Sequence, residues 1–128
     1  MLMKYPTEKQ KIGKLGEDIA TRFLVKRGFN VIERNYLKRT GEIDIICQKD
    51  NKLYFIEVKS VSRENITTDS YRPEDNIHEA KILRLSRTID IYLSERGIDL
   101  DWKITVVTVI IDSHSKTAKV KLLQDFAW

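Results

Sequence analysis

A single hairpin is the feature that most limits what this chain can fold into. Two apolar stretches rich in β-branched residues, GEIDIICQ and LYFIEVKS, flank the turn sequence KDNK at residues 49–52. Asp and Asn are among the residues that tolerate the left-handed backbone of a two-residue hairpin turn. The pattern therefore predicts two antiparallel strands, with Asp50 and Asn51 at the centre of the turn.

This turn also predicts a register between the two strands. It places Asp44 opposite Glu57 and Glu42 opposite Lys59. Because side chains alternate along a strand, all four should emerge on the same face of the sheet. The opposite face should then carry Ile43, Ile45, Ile56 and Val58.

The resulting acidic cluster interrupts a face that is otherwise apolar, because Ile46 and Phe55 fall on the same face nearer the turn. Like charges opposed across a sheet destabilise it by up to about 1 kcal/mol, so we expect a cation between them. Two close carboxylates suit a hard divalent cation such as Mg²⁺, which prefers oxygen ligands. The alternative is that Glu57 and Lys59 are solvated residues on an outer face of the sheet.

The rest of the chain predicts two helices and three further strands. Apolar residues recur at three- and four-residue intervals over residues 8–27, and Gly28 follows as a C-cap. A second helix follows Pro73 and ends at Gly97. Its apolar stripe comprises Ile77, Ala80, Leu85, Ile89, Tyr92 and Leu93. With strands at residues 30–36, 102–112 and 118–123, the predicted order is α-β-β-β-α-β-β.

Composition indicates a single domain over residues 1–128. The chain is 41% hydrophobic and 33% charged, which suits one compact core. Cys47 is the only cysteine, so an intrachain disulfide is excluded. The N-terminal residues lack the apolar run of a secretory signal, and the longest apolar run, VVTVII, is too short to span a bilayer, so we expect a cytoplasmic protein without membrane contact. The net charge of +4 favours polyanionic partners.

Four short motifs follow one another along the chain, Gly16-Glu17, Arg34-Asn35-Tyr36, Gly41-Glu42-Ile43-Asp44 and Glu57-Val58-Lys59. Together they resemble the YraN family of small bacterial endonuclease-like proteins. They also contain the PD-(D/E)xK nuclease pattern, an acidic residue on one strand and E-x-K on the next. The family is similar to Holliday-junction resolvases, and the resemblance implies a restriction-endonuclease-like α/β core, a mixed sheet with flanking helices.

The resemblance implies a metal site. Asp44 and Glu57 would coordinate Mg²⁺ or Mn²⁺, with the backbone carbonyl of Val58 as a third oxygen ligand. Such an ion polarises a scissile phosphate and lowers the pKa of a bound water. Glu17, on the first helix, would complete the catalytic set, although a solvated helix glutamate is the alternative.

The resemblance also implies roles for basic residues. Lys59 would orient the attacking water or stabilise negative charge on the phosphate, although a simple ion pair with Glu42 is the alternative. Other basic residues lie just before the Asp44 strand or on the second helix, and from these positions they would contact flanking phosphates, with a solvated basic face as the alternative. These expected nucleic-acid contacts are Arg34, Lys38, Arg39, Lys81 and Arg84.

The expected function is metal-dependent cleavage of DNA phosphodiester bonds. Branched DNA or recombination intermediates are favoured only by analogy with the resolvases. A resolvase-like role would require two active sites and hence a homodimer. One alternative is a nucleic-acid-binding module of nuclease-like fold without turnover of its own, and a weaker one is action on RNA. The chain has no glycine-rich phosphate loop, which argues against an ATP-driven enzyme.

Overall fold

The helices and strands follow one another in the order predicted from the sequence, α-β-β-β-α-β-β. The computed structural model describes residues 4–66 and 79–123. Pro73 and Ile77, assigned by sequence to the approach to the second helix and its apolar stripe, lie outside the described residues. The elements are α1 Glu8–Lys26, β1 Asn30–Lys38, β2 Gly41–Lys49, β3 Lys52–Ser62, α2 Glu79–Arg96, β4 Asp101–Asp112 and β5 Thr117–Leu123, with a short 3-10 helix at Arg63–Asn65.

The strands form one mixed sheet with the order β1-β2-β3-β4-β5. β3 and β4 are parallel and joined through α2, whereas the other neighbouring strands are antiparallel. β1 and β5 are the two edge strands, and the alternating lysines of β5 suit an edge position. The α/β class is therefore confirmed, and the arrangement is consistent with a restriction-endonuclease-like core.

The two helices cover opposite faces of the sheet. On one face, Ala20 and Leu24 of α1 are fully buried in a core with Ile45, Ile56 and strand β4 residues. On the other, α2 packs its buried residues over a second core. That second core contains Tyr36, Ile43, Ile46, Leu53, Phe55, Leu85, Ile89, Tyr92 and Ile104. Among the described residues, neither helix is long and apolar enough to cross a membrane.

The predicted hairpin turn is confirmed. Asp50 and Asn51 have φ angles of 51° and 62°, the left-handed conformation that a two-residue turn requires. The predicted register is also confirmed over the ladder from Lys49–Lys52 to Ile45–Ile56. Next to the turn the two strands pair in the predicted register, because the length of the turn sets which adjacent residues pair.

The predicted register does not extend into the acidic cluster. The β2–β3 ladder ends at Ile45–Ile56, so the pairs 44–57, 43–58 and 42–59 do not form. The predicted face of Ile43 is wrong, because it packs in the α2-side core and not beside Ile45. The change of face coincides with a local irregularity in the neighbouring strand. Asn35 of neighbouring β1 has a φ of 53°, and the β1–β2 ladder has no pair between Arg34–Ile45 and Tyr36–Ile43.

α1 approaches β3 unusually closely at Gly16. A Cβ atom added to this buried glycine would lie 1.7 Å from Ser60 Oγ and 2.6 Å from Ser60 Cβ. Only a glycine allows this separation without a shift of helix or strand. The contact holds the helix against the strand that carries Glu57 and Lys59, and it brings the adjacent Glu17 to the sheet.

Candidate metal and nucleic-acid site

Asp44 is anchored where the β2–β3 ladder ends. Its Oδ2 atom accepts the backbone N–H of Val58 at 2.7 Å. The side chain thus satisfies a backbone donor that has no ladder partner on β2. This hydrogen bond fixes one carboxylate oxygen beside β3.

Glu57 is a buried carboxylate between two ammonium groups. The residue as a whole is only 6% exposed. Lys81 Nζ donates a hydrogen bond to Glu57 Oε1, and Lys59 Nζ lies 3.7 Å from the same oxygen. Within the described residues the carboxylate partner of Lys59 is therefore Glu57, and not Glu42. Two cations offset the cost of burying this charge.

The negative charge of Asp44 is unfavourable in its surroundings. Burial, followed by repulsion from Glu57, raises the pKa of Asp44 to about 8, although the hydrogen bond from Val58 opposes the shift. Glu17 adds a smaller increase in the same direction. Near neutral pH this carboxyl group therefore favours a proton or a nearby cation.

The two lysines are shifted in opposite directions. Burial and the nearby Lys81 ammonium lower the pKa of Lys59. Burial by itself would lower the pKa of Lys81, but the hydrogen bond to Glu57 raises it overall. Lys81 is therefore the ammonium held more firmly in its charged form, and Lys59 gives up its proton more readily.

Glu17 reaches the acidic cluster from α1. Asn35 Nδ2 donates to Glu17 Oε2 at 3.0 Å and to Glu42 Oε1 at 3.3 Å. Carboxylate oxygens of Glu17, Glu42 and Asp44 all lie within 4.8 Å of one another. Asn35 therefore links Glu17 and Glu42, two of these three carboxylates.

The donor set fits a hard divalent cation. Within a strand, the N–H and C=O of one residue point to the same side. Because the N–H of Val58 points toward Asp44, its carbonyl also points toward that side, where the ladder has ended. Asp44, Glu57 and the Val58 carbonyl thus offer oxygen atoms, which Mg²⁺ and Mn²⁺ prefer.

The cluster opens into a pocket of about 400 Å³. Asp44 and Glu57 line it, and Arg84 of α2, which is exposed, also contributes. A pocket of this size is large enough for a phosphodiester group with its first neighbours. The other lining residues are Gly41, Glu42, Lys81 and Leu85.

Three of the five predicted phosphate contacts are engaged with carboxylates. Arg34 Nη2 lies 2.8 Å from Asp18 Oδ1, and Lys38 Nζ lies 3.1 Å from Glu95 Oε2. Lys81, the third, is bound to Glu57, as described above. Arg39 and Arg84 are exposed, and no ion pair joins either of them to another described residue.

The sequence matches the family model described as "Uncharacterised protein family UPF0102" over residues 16–109. The chain belongs to this family. UPF0102 is the YraN family, so the resemblance inferred from the motifs is confirmed. The matched segment spans both carboxylate strands and α2.

Relatives align over most of the chain. A UPF0102 protein of Campylobacter fetus is 35% identical over 91% of this chain and 93% of its own length. One from Flavobacterium psychrophilum is 33% identical over 92% of this chain and 94% of its own. One from Campylobacter jejuni is 38% identical over 76% of this chain and 81% of its own.

Sequence reasoning missed three residues that shape this UPF0102 site. Asn35 was quoted only as part of a motif, yet it bonds both Glu17 and Glu42. Its signal was available, because Asn is one of the few residues that tolerate a positive φ angle within a strand. Asp18 and Glu95, the partners of Arg34 and Lys38, carried no such signal, since surface acidic residues on helices are common.

Proposed function

We propose that this protein is a Mg²⁺- or Mn²⁺-dependent nuclease that cleaves DNA phosphodiester bonds. The observation that carries the proposal is the convergence of Asp44 and Glu57 on one pocket, with Lys59 at 3.7 Å from Glu57. Two carboxylates with an adjacent lysine are a combination suited to metal-assisted phosphate hydrolysis. Packing alone gives no reason to bury them together.

Asp44, Glu57 and the carbonyl of Val58 would hold the cation. When bound, it would supply Lewis-acid polarisation of the phosphate and a water of lowered pKa. Asp44 is already oriented for this task, because its other oxygen accepts the Val58 N–H. A preorganised ligand pays less conformational entropy on binding.

Lys59 would stabilise the negative charge that develops on the scissile phosphate. Its side chain is only 24% exposed, so its ammonium acts in a region of reduced dielectric. The lowered pKa also makes the Lys59 ammonium a better proton donor than an ordinary lysine. Glu17, held by Asn35, would keep the outer side of the cluster negative and so favour cation entry.

Arg39 and Arg84 would contact phosphates on either side of the scissile group. Both are exposed, and Arg84 lines the pocket. Such contacts give affinity and register without reading bases. Preference for branched DNA or recombination intermediates would follow from the shape of the wider surface, and two symmetric cuts would need a homodimer.

The test is an incubation with linear, flapped, single-stranded and four-way DNA in Mg²⁺ or Mn²⁺, with a chelator control. We expect cation-dependent cleavage that falls at least about a hundredfold in Asp44→Asn, Glu57→Gln and Lys59→Ala. Unchanged turnover in all three variants would show that these three residues do not form the active site.

The second candidate function is a nucleic-acid-binding module without turnover. It is favoured by the same exposed arginines and the net charge of +4, which need no catalysis. Binding without cleavage of every DNA in both metals would support it. Cleavage of RNA but not DNA in the same assay would instead reassign the substrate.

A further inference from the structure

Lys81 crosses from α2 to the buried carboxylate of β3. Its Nζ atom donates to Glu57 Oε1, while its side chain remains 37% exposed along the pocket. Lys59 approaches the same oxygen but stays 3.7 Å away. Glu57 Oε1 thus accepts a hydrogen bond from Lys81 and only lies near Lys59.

The carboxylate that Lys81 binds is one that a cation at this site would use. An ammonium held against it opposes a divalent ion there, because like charges at close range repel strongly where water is scarce. We propose that Lys81 is a built-in competitor for the cation: its ammonium occupies the position beside Glu57 in the resting protein, and a substrate phosphate draws it away. This inference rests on the proposed function and adds a regulation of the same site.

The release step follows from the position of the lysine. Lys81 lines the same pocket as Arg84, and its long, partly exposed side chain can turn from Glu57 toward a phosphate in that pocket. A phosphate oxygen offers the ammonium a charge-assisted hydrogen bond of comparable strength. Phosphate binding would therefore free Glu57 for the metal, and by linkage metal binding would favour phosphate binding. Without a bound phosphate the protein would bind cations weakly, and with a phosphate in the pocket it would bind them tightly.

The experiment measures Mn²⁺ binding to the DNA-free protein by electron paramagnetic resonance. Lys81→Met keeps most of the side-chain length and removes the charge, and Lys81→Gln is a second variant in case the first folds poorly. We expect either variant to bind Mn²⁺ at least about tenfold more tightly than the wild type, as loss of one charged hydrogen bond implies. Circular dichroism checks that each variant is folded.

Two controls separate direct competition from a general effect of charge. Lys49→Met removes a lysine five residues along β2 from Asp44, on the order of 16 Å away, whose ammonium bonds Arg27 O at 2.8 Å. It should leave Mn²⁺ affinity unchanged, because that distance exceeds the screening length at physiological salt. Lys59→Met removes an equal charge 3.7 Å from the same Glu57 oxygen and should give a clearly smaller gain than Lys81→Met.

A double-mutant cycle locates the competition at Glu57. The gain from Lys81→Met should disappear in a Glu57→Gln background, where the contested charge is gone. Equal gains from Lys81→Met and Lys59→Met, or a gain that survives Glu57→Gln, would overturn the competitor role. Equal, measurable Mn²⁺ binding by wild type and Lys81→Met would overturn this inference alone. No Mn²⁺ binding by either protein would overturn the proposed metal-dependent function with it.

Discussion

Asp44 and Val58 are joined side chain to backbone at the point where β2 and β3 stop pairing. The 2.7 Å hydrogen bond from Val58 N–H to Asp44 Oδ2 replaces a ladder contact and fixes the carboxylate next to Glu57. Two negative groups are thereby held together at a cost that burial increases. The predictions below follow from that cost and from the contacts around it.

Asp44→Asn should raise stability. The amide oxygen of Asn can still accept the Val58 N–H, whereas the repulsion from Glu57 is removed. In chelator near neutral pH we expect a gain of at least about 1 kcal/mol in the free energy of unfolding, because burial and the nearby Glu57 both oppose the charge of Asp44. Mn²⁺ should then stabilise the wild type and hardly affect the variant. Thermal denaturation at matched ionic strength measures both, and equal metal-induced shifts would argue against a site at Asp44.

Stability should fall with rising pH because of Asp44. Its pKa is raised from 3.8 to about 8, so between these values the folded protein holds a proton that the unfolded chain has lost. The free energy of unfolding therefore decreases as pH rises through this window. Asp44→Asn lacks this titration, so its advantage over the wild type should grow from pH 5 to pH 8. Urea unfolding at several pH values measures the difference, and a constant difference would mean that Asp44 titrates as an ordinary carboxylate.

Gly16→Ala should destabilise the protein even though alanine favours helices. Alanine in place of glycine gains up to about 1 kcal/mol in a helix interior. Here the new Cβ would lie 2.6 Å from Ser60 Cβ, and such overpacking costs about 1–3 kcal/mol. Ser60→Gly in the same chain should recover part of the loss. A urea titration of the single and double variants checks this, and a more stable Gly16→Ala protein would show that the helix can move away freely.

Arg39→Gln with Arg84→Gln should weaken DNA binding without changing sequence preference. Each phosphate contact that is lost should lower the slope of log affinity against log salt by about 0.9. Lys49→Gln with Lys52→Gln, at the turn end of the hairpin, serves as the charge-matched control. Fluorescence anisotropy at several salt concentrations gives the slopes. If the slopes of the double variant and the control agree, the two arginines belong to a solvated face.

The sequence predicted the elements, their order and the inner register of the hairpin. Those features depend on local chemistry, such as the turn at Asp50 and Asn51, which sets the pairing of adjacent residues. The face of Ile43 could not be predicted in this way, because Ile43 lies beyond the end of the β2–β3 ladder and beside the irregularity at Asn35 of the neighbouring strand. Strict alternation holds only where a ladder is regular.

The contacts between the candidate site residues differ from those expected from the sequence. Asp44 and Glu57 were expected to face each other as a ladder pair, whereas Asp44 instead bonds the backbone of Val58. The partner of Lys81 was not predicted, because its contact with Glu57 joins α2 to β3 and depends on how the helix docks. No periodicity along the chain carries information about such a docking angle.

Folding of this chain must close a long loop before the sheet is complete. β3 and β4 pair in parallel, from Lys52–Asp101 to Ser62–Ile111, whereas β1, β2 and β3 are joined by short turns. Because loop closure costs entropy before distant contacts repay it, we expect the three-stranded unit to form first and α2 with β4 to dock later. Asp44 and Glu57 belong to the early unit, and Lys81 to the late one. A cation present during refolding would therefore meet the carboxylate pair before the lysine does, and the first occupant of the site would be decided by the order of folding.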